Sequence, residues 1–105
     1  MITHVAIKDK DGKVWSLPKP NRHHNIVHLL HLEKPREEAL KLLGNHVQGF
    51  LNDKGVFKER RQAWAEALKC GQILPPYDPI NPSKRLESWD WTKHPVKELF
   101  SEDLW

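Results

Sequence analysis

Basic side chains stand at the starts of two predicted helices, where they could bind a phosphate group. Arg22 and His23 open one segment with helical apolar spacing, and Arg60 lies in the first turn of another. The first N–H groups of a helix have no partners within the helix and carry the positive end of its dipole, so an anion is stabilised there. Phe50 directly follows Gly49, and its ring could give a nucleobase a flat apolar surface. These residue types together predict a nucleotide site.

Each of these residues also has a structural explanation. Phe50 could lie in the core, and Arg60 could pair with Glu59 or Glu66, because charged positions often serve structure alone. The basic turn at residues 22–24 could equally be a solvated helix start. The residues by themselves leave both alternatives open.

Three of the seven histidines raise the question of a metal site. His24, His28 and His31 are spaced i, i+4 and i+7, so a helix places them on one face, and histidines at i and i+4 can share a zinc ion. No neighbouring carboxylate completes a zinc-hydrolase pattern, and the single cysteine, Cys70, lies in another segment. We therefore expect a partly solvated histidine face and no bound metal.

Residues for catalysis are not singled out by the sequence. A nucleophile would need a serine or Cys70 beside a histidine and an orienting acid, and the spacing favours none of the candidates. There is no phosphate-binding glycine loop and no pattern of paired carboxylates. We expect a binding protein, without catalytic residues and without a cofactor.

The segment from 48 to 72 is predicted to form a hairpin that leads into a helix. Residues 49–51 and 56–57 have strand character, and residues 52–55 supply the turn with glycine at its end. From Glu59 the apolar period becomes helical. The apolar face of this helix comprises Ala63, Trp64, Ala67 and Leu68. Gly71 then suits the left-handed conformation that often caps a helix C-terminus.

An earlier hairpin and two helices are predicted before that segment. Residues 5–7 and 14–17 pair through an Asp11-Gly12 turn, and prolines end the second strand. Asn21 is a suitable N-cap for a helix from Arg22 to about Leu32. A second helix begins with Pro35 near its first position and ends at Gly44-Asn45.

The last third of the chain has a different character. Residues 73–82 contain four prolines and indicate an extended connector. Trp89 and Trp91 follow, and residues 99–105 carry four large apolar side chains. Such a terminal segment should dock on its own core or on a neighbouring subunit. The predicted fold class is therefore α+β in one domain of residues 1–105, with a core at 1–72 and an extended segment at 73–105.

Composition limits the classes of partner. The chain has 105 residues, 38% of them hydrophobic, and a formal net charge of +3 with acids and bases interspersed. That charge is low for a protein that depends on polyanion binding, so we expect no nucleic acid partner. No apolar run has the length of a membrane span, so no membrane partner is expected, and the single cysteine fits a reducing cytoplasm.

Large aromatic residues are more numerous than a small core easily buries. Five tryptophans accompany a low hydrophobic fraction and an apolar C-terminal tail. We therefore expect a homo-oligomer, at least a dimer, with Leu104 and Trp105 buried across or beside the interface.

Three sequence blocks carry a resemblance to a known group of proteins. The blocks are VWSLPKPNRHHNIVHLL, QGFLNDKGVFKERRQAWAEALKCGQI and LFSEDLW. In this order they resemble small bacteriophage proteins, in particular the phage Thoeris anti-defence sponges. The resemblance implies a small α/β protein that forms dimers or higher oligomers in the host bacterial cytoplasm. It also implies that the protein sequesters a cyclic ADP-ribose isomer without cleaving it, and some members additionally hold cyclic oligonucleotides at separate sites.

The resemblance also implies particular ligand-binding residues. Arg22 and His23 stand at the basic helix start, Phe50 at the Gly-Phe position, and Phe57 and Arg60 before the second amphipathic helix. The sequence departs from the pattern in three places. Glutamate replaces the usual cap residue at position 59, residues 61–62 are less acidic than expected, and the proline-rich connector and the WDW segment have no counterpart.

The favoured interpretation is a phage protein that binds and sequesters a cyclic nucleotide immune signal. The alternative is an inhibitor or adaptor that binds a host protein through exposed aromatics, with Trp89, Trp91 and Trp105 as its anchors. A histidine-dependent phosphodiesterase is a third interpretation, and return of the bound ligand intact would separate it from a sponge.

Overall fold

Four antiparallel strands and three α-helices make up the protein, and the computed structural model describes all of residues 1–105. In chain order the elements are β1 (Ile2–Lys8), β2 (Val14–Pro18), α1 (His23–Glu33), α2 (Arg36–Leu43), β3 (Val47–Asn52), β4 (Phe57–Glu59) and α3 (Arg60–Lys69). Short 3-10 turns follow at Trp91–Lys93 and Ser101–Asp103. The strand order in the sheet is β2-β1-β3-β4. The predicted α+β class is confirmed.

The strand register decides which face of the sheet becomes the core. Val5 lies opposite both Leu17 and Phe50, and Ile7 lies opposite Trp15, so these side chains project from one face. The helices bury their apolar sides in the same cluster. Its helical members are Ile26, Leu30, Ala39, Leu42, Ala63, Trp64 and Ala67. The helices therefore pack on that face, as the apolar periodicity predicts.

The two hairpins are closed by turns with the same hydrogen bonds. In the first turn, the Asp9 N–H donates to Lys13 O at 2.8 Å and the Gly12 N–H donates to Asp9 O at 3.0 Å. The Asp9 carboxylate also accepts the N–H groups of Asp11 and Lys13 at 2.9 and 3.0 Å. The glycine has φ of 85°, which it adopts without steric cost. The predicted Asp-Gly hairpin is thus confirmed.

Asn52 repeats this arrangement in the second turn. Its N–H donates to Val56 O at 3.2 Å and its carbonyl accepts the Gly55 N–H at 2.9 Å. Its side-chain oxygen accepts the N–H groups of Lys54 and Val56 at 3.0 and 2.9 Å. Gly55 again has a positive φ, here 73°. A buried Asx side chain five residues before the first residue of the return strand therefore organises each hairpin.

The second polar atom of each Asx side chain makes a contact outside its turn. The other carboxylate oxygen of Asp9 accepts the indole N–H of Trp15 at 2.9 Å. The amide nitrogen of Asn52 donates to the carboxylate of Glu66 on α3 at 3.0 Å. The first turn is thereby tied to a core tryptophan of its own hairpin, and the second turn is tied to a helix.

The start of α1 differs from the prediction. Arg22, not Asn21, is the N-cap, and its N–H donates to the side-chain oxygen of Asn25 at 2.8 Å. The Asn21 side chain instead donates to Pro18 O at 2.8 Å. The prediction was wrong because the asparagine after the prolines serves the turn that ends β2, and Asn25 replaces it in satisfying the helix start.

The other helix ends lie close to their predicted positions. Pro35 is the N-cap of α2, one residue before the first helical position, and Gly44 ends that helix. Gly71 after α3 has φ of 68°, so the predicted left-handed cap is confirmed. None of the helices combines the length and the apolar character that crossing a bilayer requires.

Residues 73–105 dock on the core of their own chain. Leu99 is fully buried in the core cluster. The Leu74 N–H donates to Asp103 O at 2.8 Å, and the indole N–H of Trp91 donates to Leu74 O at 2.9 Å. At the end of the chain the indole N–H of Trp105 donates to Asn21 O at 3.0 Å. The segment has little regular structure, yet backbone and indole hydrogen bonds fix its path.

Replacement of Asp9 by asparagine tests the hairpin turn. In Asp9→Asn the oxygen must stay with the two backbone N–H groups, so the new amide nitrogen faces the indole N–H of Trp15 and leaves it without an acceptor. We expect the free energy of unfolding to fall by about 1.5–3 kcal/mol, the usual range for a hydrogen bond to a charged group. Urea denaturation measures the change.

The exposed Asp11 supplies a control with the same change of charge. Asp11→Asn removes one negative charge from the same turn, where the side chain has no hydrogen-bond partner in the structure, and should alter stability by about 0.5 kcal/mol or less. Equal effects of the two substitutions would contradict the proposed role of the carboxylate.

Candidate functional site

A polar groove lies beside the N-terminus of α3. Its volume is about 470 Å³, and it is lined by His46, Val47, Gln48, Glu59, Arg60, Arg61 and Glu98. Residues from β3, from the junction of β4 with α3 and from the C-terminal segment therefore meet here. Basic, acidic and amide side chains all reach the groove, which gives it both donors and acceptors.

Arg60 is the best-fixed side chain of the groove. One terminal nitrogen, Nη1, donates to Leu99 O at 2.6 Å, and the other, Nη2, donates to the side-chain oxygen of Gln48. The guanidinium carbon lies 4.4 Å from the centre of the Phe100 ring, a cation–π contact. The backbone carbonyl of Arg60 also accepts the Leu99 N–H at 3.0 Å. A guanidinium has five N–H donors, so three remain without a protein partner here.

The hydrogen bonds of the groove form a chain from Arg60 through Gln48 and His46 to Leu43 O, in which each group donates to the next. Because a carbonyl oxygen only accepts, His46 must carry its proton on Nδ1, which donates to Leu43 O at 2.6 Å. The other ring nitrogen then accepts from the amide nitrogen of Gln48 at 3.3 Å. The oxygen of the same amide accepts from Arg60. This network fixes the orientation of the Gln48 amide and the tautomer of His46 together.

Burial and nearby charges shift the pKa of Arg60 in opposite directions. Burial lowers the pKa of the Arg60 guanidinium, while the carboxylates of Glu98, Glu102 and Asp103 raise it. The group stays charged at any physiological pH because its ordinary pKa is so high. Arg61 is exposed and forms no hydrogen bond or salt bridge within the chain. The groove therefore holds one anchored arginine and one unengaged arginine.

His23 is nearly buried, with 8% of its surface exposed, and does not line the groove. Its Nε2 donates to Gly49 O at 2.8 Å, which fixes the tautomer because the carbonyl only accepts. The ring meets Phe50 edge-on, with centroids 5.1 Å apart. Burial lowers the pKa of His23, although the hydrogen bond to Gly49 acts in the opposite direction. The imidazole is a neutral structural donor rather than an exposed phosphate ligand.

Phe50 has no exposed surface, so it has no free face for a base in this structure. Its position on the core face of β3 explains this, because Phe50 pairs with Val5 in the middle of the sheet. The expected stacking role of Phe50 is therefore corrected: the ring is a core residue. Phe57 is half-buried and packs on the opposite face, where the Lys8 ammonium lies 4.7 Å from its ring centre.

Gly49 allows the close approach of β4. A Cβ atom at this position would lie 2.7 Å from the ring carbon Cζ of Phe57, and nearer still to the carbonyl oxygen of Lys58. Both distances are too short for any side chain. The glycine before Phe50 thus serves strand packing, with the Phe57 ring lying over the bare backbone.

The five predicted binding residues are only partly brought together. His23 contacts Phe50, and both are buried, while only Arg60 lines the groove. Arg22 precedes His23 as the N-cap of α1, and its Nη1 atom is buried without a hydrogen-bond partner. No hydrogen bond links Arg22 to the other four residues.

The histidine face of α1 is solvated. His24, His28 and His31 are all exposed. No group of three or more His, Cys, Asp or Glu side chains is arranged to hold a metal ion.

A family model matches the whole chain. The model describes the phage T4 y16D protein and covers residues 1–105. The chain belongs to this family. It is thus a small phage protein, and the match is to this family rather than to the Thoeris sponges named by the sequence resemblance. Comparisons with curated proteins and with solved structures gave no match.

Several groove residues of this y16D-family protein were missed by sequence reasoning. Gln48 lies two positions before Phe50 on β3, so strand alternation places these two side chains on one face of the sheet, and His46 directly precedes the strand. That signal was present in the sequence. Glu98 lines the groove, and Phe100 packs against Arg60, only because the C-terminal segment docks beside α3, which no local pattern indicates.

Arg60→Lys tests whether Arg60 holds the C-terminal segment. A lysine ammonium cannot reproduce the forked contacts to Leu99 O and Gln48, nor the flat stacking on Phe100. We expect the free energy of unfolding to fall by about 1–3 kcal/mol. Hydrogen exchange at the Leu99 amide should become faster. The increase should exceed the one expected from the fall in the global free energy of unfolding, because the segment also detaches locally.

The neighbouring arginine is the control for this experiment. Arg61→Lys keeps the same charge at an exposed side chain without partners, and should leave both stability and exchange unchanged within about 0.5 kcal/mol. If Arg60→Lys behaves like Arg61→Lys, the anchoring role is wrong.

His23 gives the fold a predictable pH dependence. The folded-state pKa lies below the ordinary value of 6.5, so the unfolded chain binds the proton first as the pH falls. The contribution of His23 to stability is complete above 6.5 and declines as the pH drops toward the folded-state pKa. Urea denaturation across this range should show the loss.

Two glutamine variants isolate the contribution of His23. His23→Gln removes the titrating group and should flatten the pH dependence below 6.5. His24→Gln changes an exposed neighbour and should keep the wild-type slope. Identical slopes for wild type and His23→Gln would show that another group is responsible.

Proposed function

We propose that this phage protein binds a cyclic nucleotide immune signal of the host in the Arg60 groove and sequesters it without cleavage. A cyclic ADP-ribose isomer or a cyclic oligonucleotide is the class of ligand. The observation that carries the proposal is the anchored guanidinium of Arg60, which keeps three N–H donors free beside the unengaged Arg61. Fixed forked donors match phosphate oxygens in bidentate fashion.

The size of the groove supports a ligand larger than inorganic phosphate. Pockets for small molecules usually enclose about 300–1,000 Å³, and the groove volume of about 470 Å³ falls in this range. Phosphate alone would leave most of that space to water. A nucleotide would occupy it more fully, with its phosphates at the arginines.

The acidic side chains of the groove favour a sugar as part of the ligand. Glu59 and Glu98 line the groove together with the arginines. Carboxylates repel phosphate but accept hydrogen bonds from hydroxyl groups. In a nucleotide these hydroxyls belong to the ribose, which is next to the phosphate. A mixed lining of this kind selects for a ligand with separate anionic and hydroxyl groups.

An aromatic surface is available next to Arg60. Phe100 is 47% exposed, and one face of its ring lies against the guanidinium. In the proposed complex this ring takes the role expected of Phe50, which the core covers completely. Stacking of a base on an aromatic side chain contributes about 1–3 kcal/mol.

Binding without cleavage is supported by the state of His46. Both of its ring nitrogens are engaged, one with Leu43 O and the other with the Gln48 amide. Neither nitrogen is free to accept a proton from an attacking water. This argues against the histidine-dependent phosphodiesterase.

The alternative, an adaptor that binds a host protein through its tryptophans, receives less support. The indole N–H groups of Trp91 and Trp105 donate to backbone carbonyls within the chain. Trp89 stacks on His94 with centroids 4.4 Å apart. These side chains therefore stabilise the C-terminal segment and are not free anchors.

Calorimetric titration with cyclic ADP-ribose isomers and cyclic dinucleotides tests the proposal. Arg61→Gln is the cleanest variant, because Arg61 lines the groove but forms no hydrogen bond or salt bridge within the chain. Loss of a charged hydrogen bond should weaken binding by about 1.5–3 kcal/mol while the melting temperature stays unchanged. Arg36→Gln, an exposed arginine on α2 outside the groove, is the control with the same change of charge.

Mass spectrometry of ligand released by heat completes the test. A sequestered signal returns intact, whereas an enzyme would release a shorter product. Absence of binding to every ligand tested, or equal weakening by Arg61→Gln and Arg36→Gln, would refute the assignment of the groove.

A further inference from the structure

Gln48 presents a hydrogen-bond donor and an acceptor together in the groove. The half-buried side chain lines the groove from the second residue of β3. Its amide has two N–H donors and two carbonyl lone pairs. His46 takes one N–H and Arg60 takes one lone pair. One donor and one acceptor of the same planar group therefore have no partner within the chain.

Arg60 determines which end of this amide is the oxygen. A guanidinium has only N–H donors, so the Gln48 atom that Nη2 contacts must be the carbonyl oxygen. The guanidinium is itself held by Leu99 O at 2.6 Å and by the ring of Phe100. The oxygen of Gln48 is therefore bound to a group that has no acceptor to offer in place of its donor.

His46 determines the other end of the amide independently. Its Nδ1 donates to Leu43 O, so Nε2 of the neutral ring has a lone pair and no proton. The amide nitrogen of Gln48 donates to that lone pair at 3.3 Å. Rotation of the amide by half a turn would bring its NH2 group against the Arg60 guanidinium and its oxygen against the lone pair of His46. Both contacts would be repulsive, so the donor and the acceptor keep fixed places.

A fixed donor beside a fixed acceptor matches the edge of an adenine base. Adenine carries its N6 amino donor next to a ring-nitrogen acceptor, which is N7 on one edge and N1 on the other. Glutamine and asparagine amides bind adenine through N6 and N7 in this bidentate manner. Guanine and hypoxanthine carry a carbonyl oxygen in place of the amino group. Against the fixed amide, that oxygen would face the oxygen of Gln48 with no proton between them.

We propose that Gln48 selects the base of the sequestered signal and that this base is adenine. The inference rests on the nucleotide binding proposed for the Arg60 groove and adds its base specificity. Phe100 contacts the same guanidinium as Gln48, so an aromatic surface lies beside the amide. Phe100 supports the face of the base, Gln48 binds its edge, and His46 positions the amide.

Cytosine is the other base with an amino group next to a ring nitrogen. It has this pair of groups on one edge only, whereas adenine has it on two. The larger purine also buries more apolar surface when it stacks on an aromatic ring. Adenine therefore fits the amide and the ring together better than cytosine does.

Calorimetric titration with pairs of ligands that differ in the base tests the selection. The pairs are cyclic di-AMP with cyclic di-IMP, and cyclic ADP-ribose with its inosine analogue. In each inosine member a carbonyl oxygen replaces the adenine amino group. Wild type should bind the adenine member about 5- to 150-fold more tightly, which is the discrimination of a bidentate amide contact.

Gln48→Met removes both polar atoms and keeps the length of the side chain. The preference for the adenine member should fall to about twofold or less, because nothing at this position then distinguishes an amino group from a carbonyl. The ratio of the two affinities is the measured quantity, so a general loss of affinity through Arg60 cancels. His46→Phe leaves the amide oriented by Arg60 alone and should give an intermediate preference.

Gln62→Met is the matched control. Gln62 is exposed and does not line the groove, and its side-chain oxygen accepts the Glu59 N–H at 3.2 Å. The same substitution therefore removes a side-chain hydrogen bond close to the groove without touching the proposed contact. This variant should keep the wild-type preference, and a loss equal to that of Gln48→Met would refute the role of Gln48.

Nuclear Overhauser effects test the orientation of the amide without any ligand. In the free protein, the NH2 protons of Gln48 should show cross-peaks to the ring protons of His46. An inverted amide would place these protons next to the Arg60 guanidinium instead and would refute the inference. This measurement and the wild-type titrations require no variant to fold.

The titrations separate this inference from the proposed function. Equal binding of both members of a pair, or a preference that survives in Gln48→Met, would refute base selection while nucleotide binding in the groove stands. Tighter binding of cyclic di-CMP than of cyclic di-AMP would assign the amide to cytosine and refute the choice of adenine. Absence of binding to every ligand would refute the proposed function and this inference with it.

Discussion

The guanidinium of Arg60 joins three parts of the chain that local structure does not connect. It reaches from the start of α3 to Leu99 in the C-terminal segment and to Gln48 on β3, and its own carbonyl accepts the Leu99 N–H. Without these contacts the last third of the chain, whose regular structure is limited to two short 3-10 turns, would rest on apolar packing and on one indole hydrogen bond to the core, from Trp105 to Asn21 O. The path of that segment in turn decides where Glu98 and Phe100 lie, and hence the shape of the groove.

The same residue therefore serves structure and the proposed site together. A half-buried guanidinium loses hydration, and burial is the largest influence on the pKa of Arg60. Two protein acceptors and an aromatic face replace part of the lost water, and three acidic residues nearby favour the charge. The remaining donors have no partner within the chain, which leaves them for the proposed ligand. Replacement of Arg60 by alanine would therefore disturb the docking of the C-terminal segment as well as binding, and Arg61 is the better probe of binding.

Local chemistry made much of the fold predictable from sequence. Both hairpins, the glycine turns and the apolar face of α3 follow from residues that are near one another in the chain, and the structure confirms them. The site was harder to predict because its parts come from distant segments. Phe50 has the same local pattern whether its strand face is buried or open, and only pairing with Val5 decides the question. The structural alternative for Arg60 was a pair with Glu59 or Glu66, whereas its partners in the structure are 12 and 39 residues away.

The proposed ligand and the C-terminal segment are linked through Arg60. A ligand that engages the free donors of Arg60 binds the arrangement in which this segment is docked, because the same guanidinium holds Leu99 O. Binding therefore stabilises the docked arrangement relative to states in which the segment has detached. The size of this stabilisation is limited by how often the segment detaches in the free protein, since a segment that is always docked leaves nothing for the ligand to stabilise.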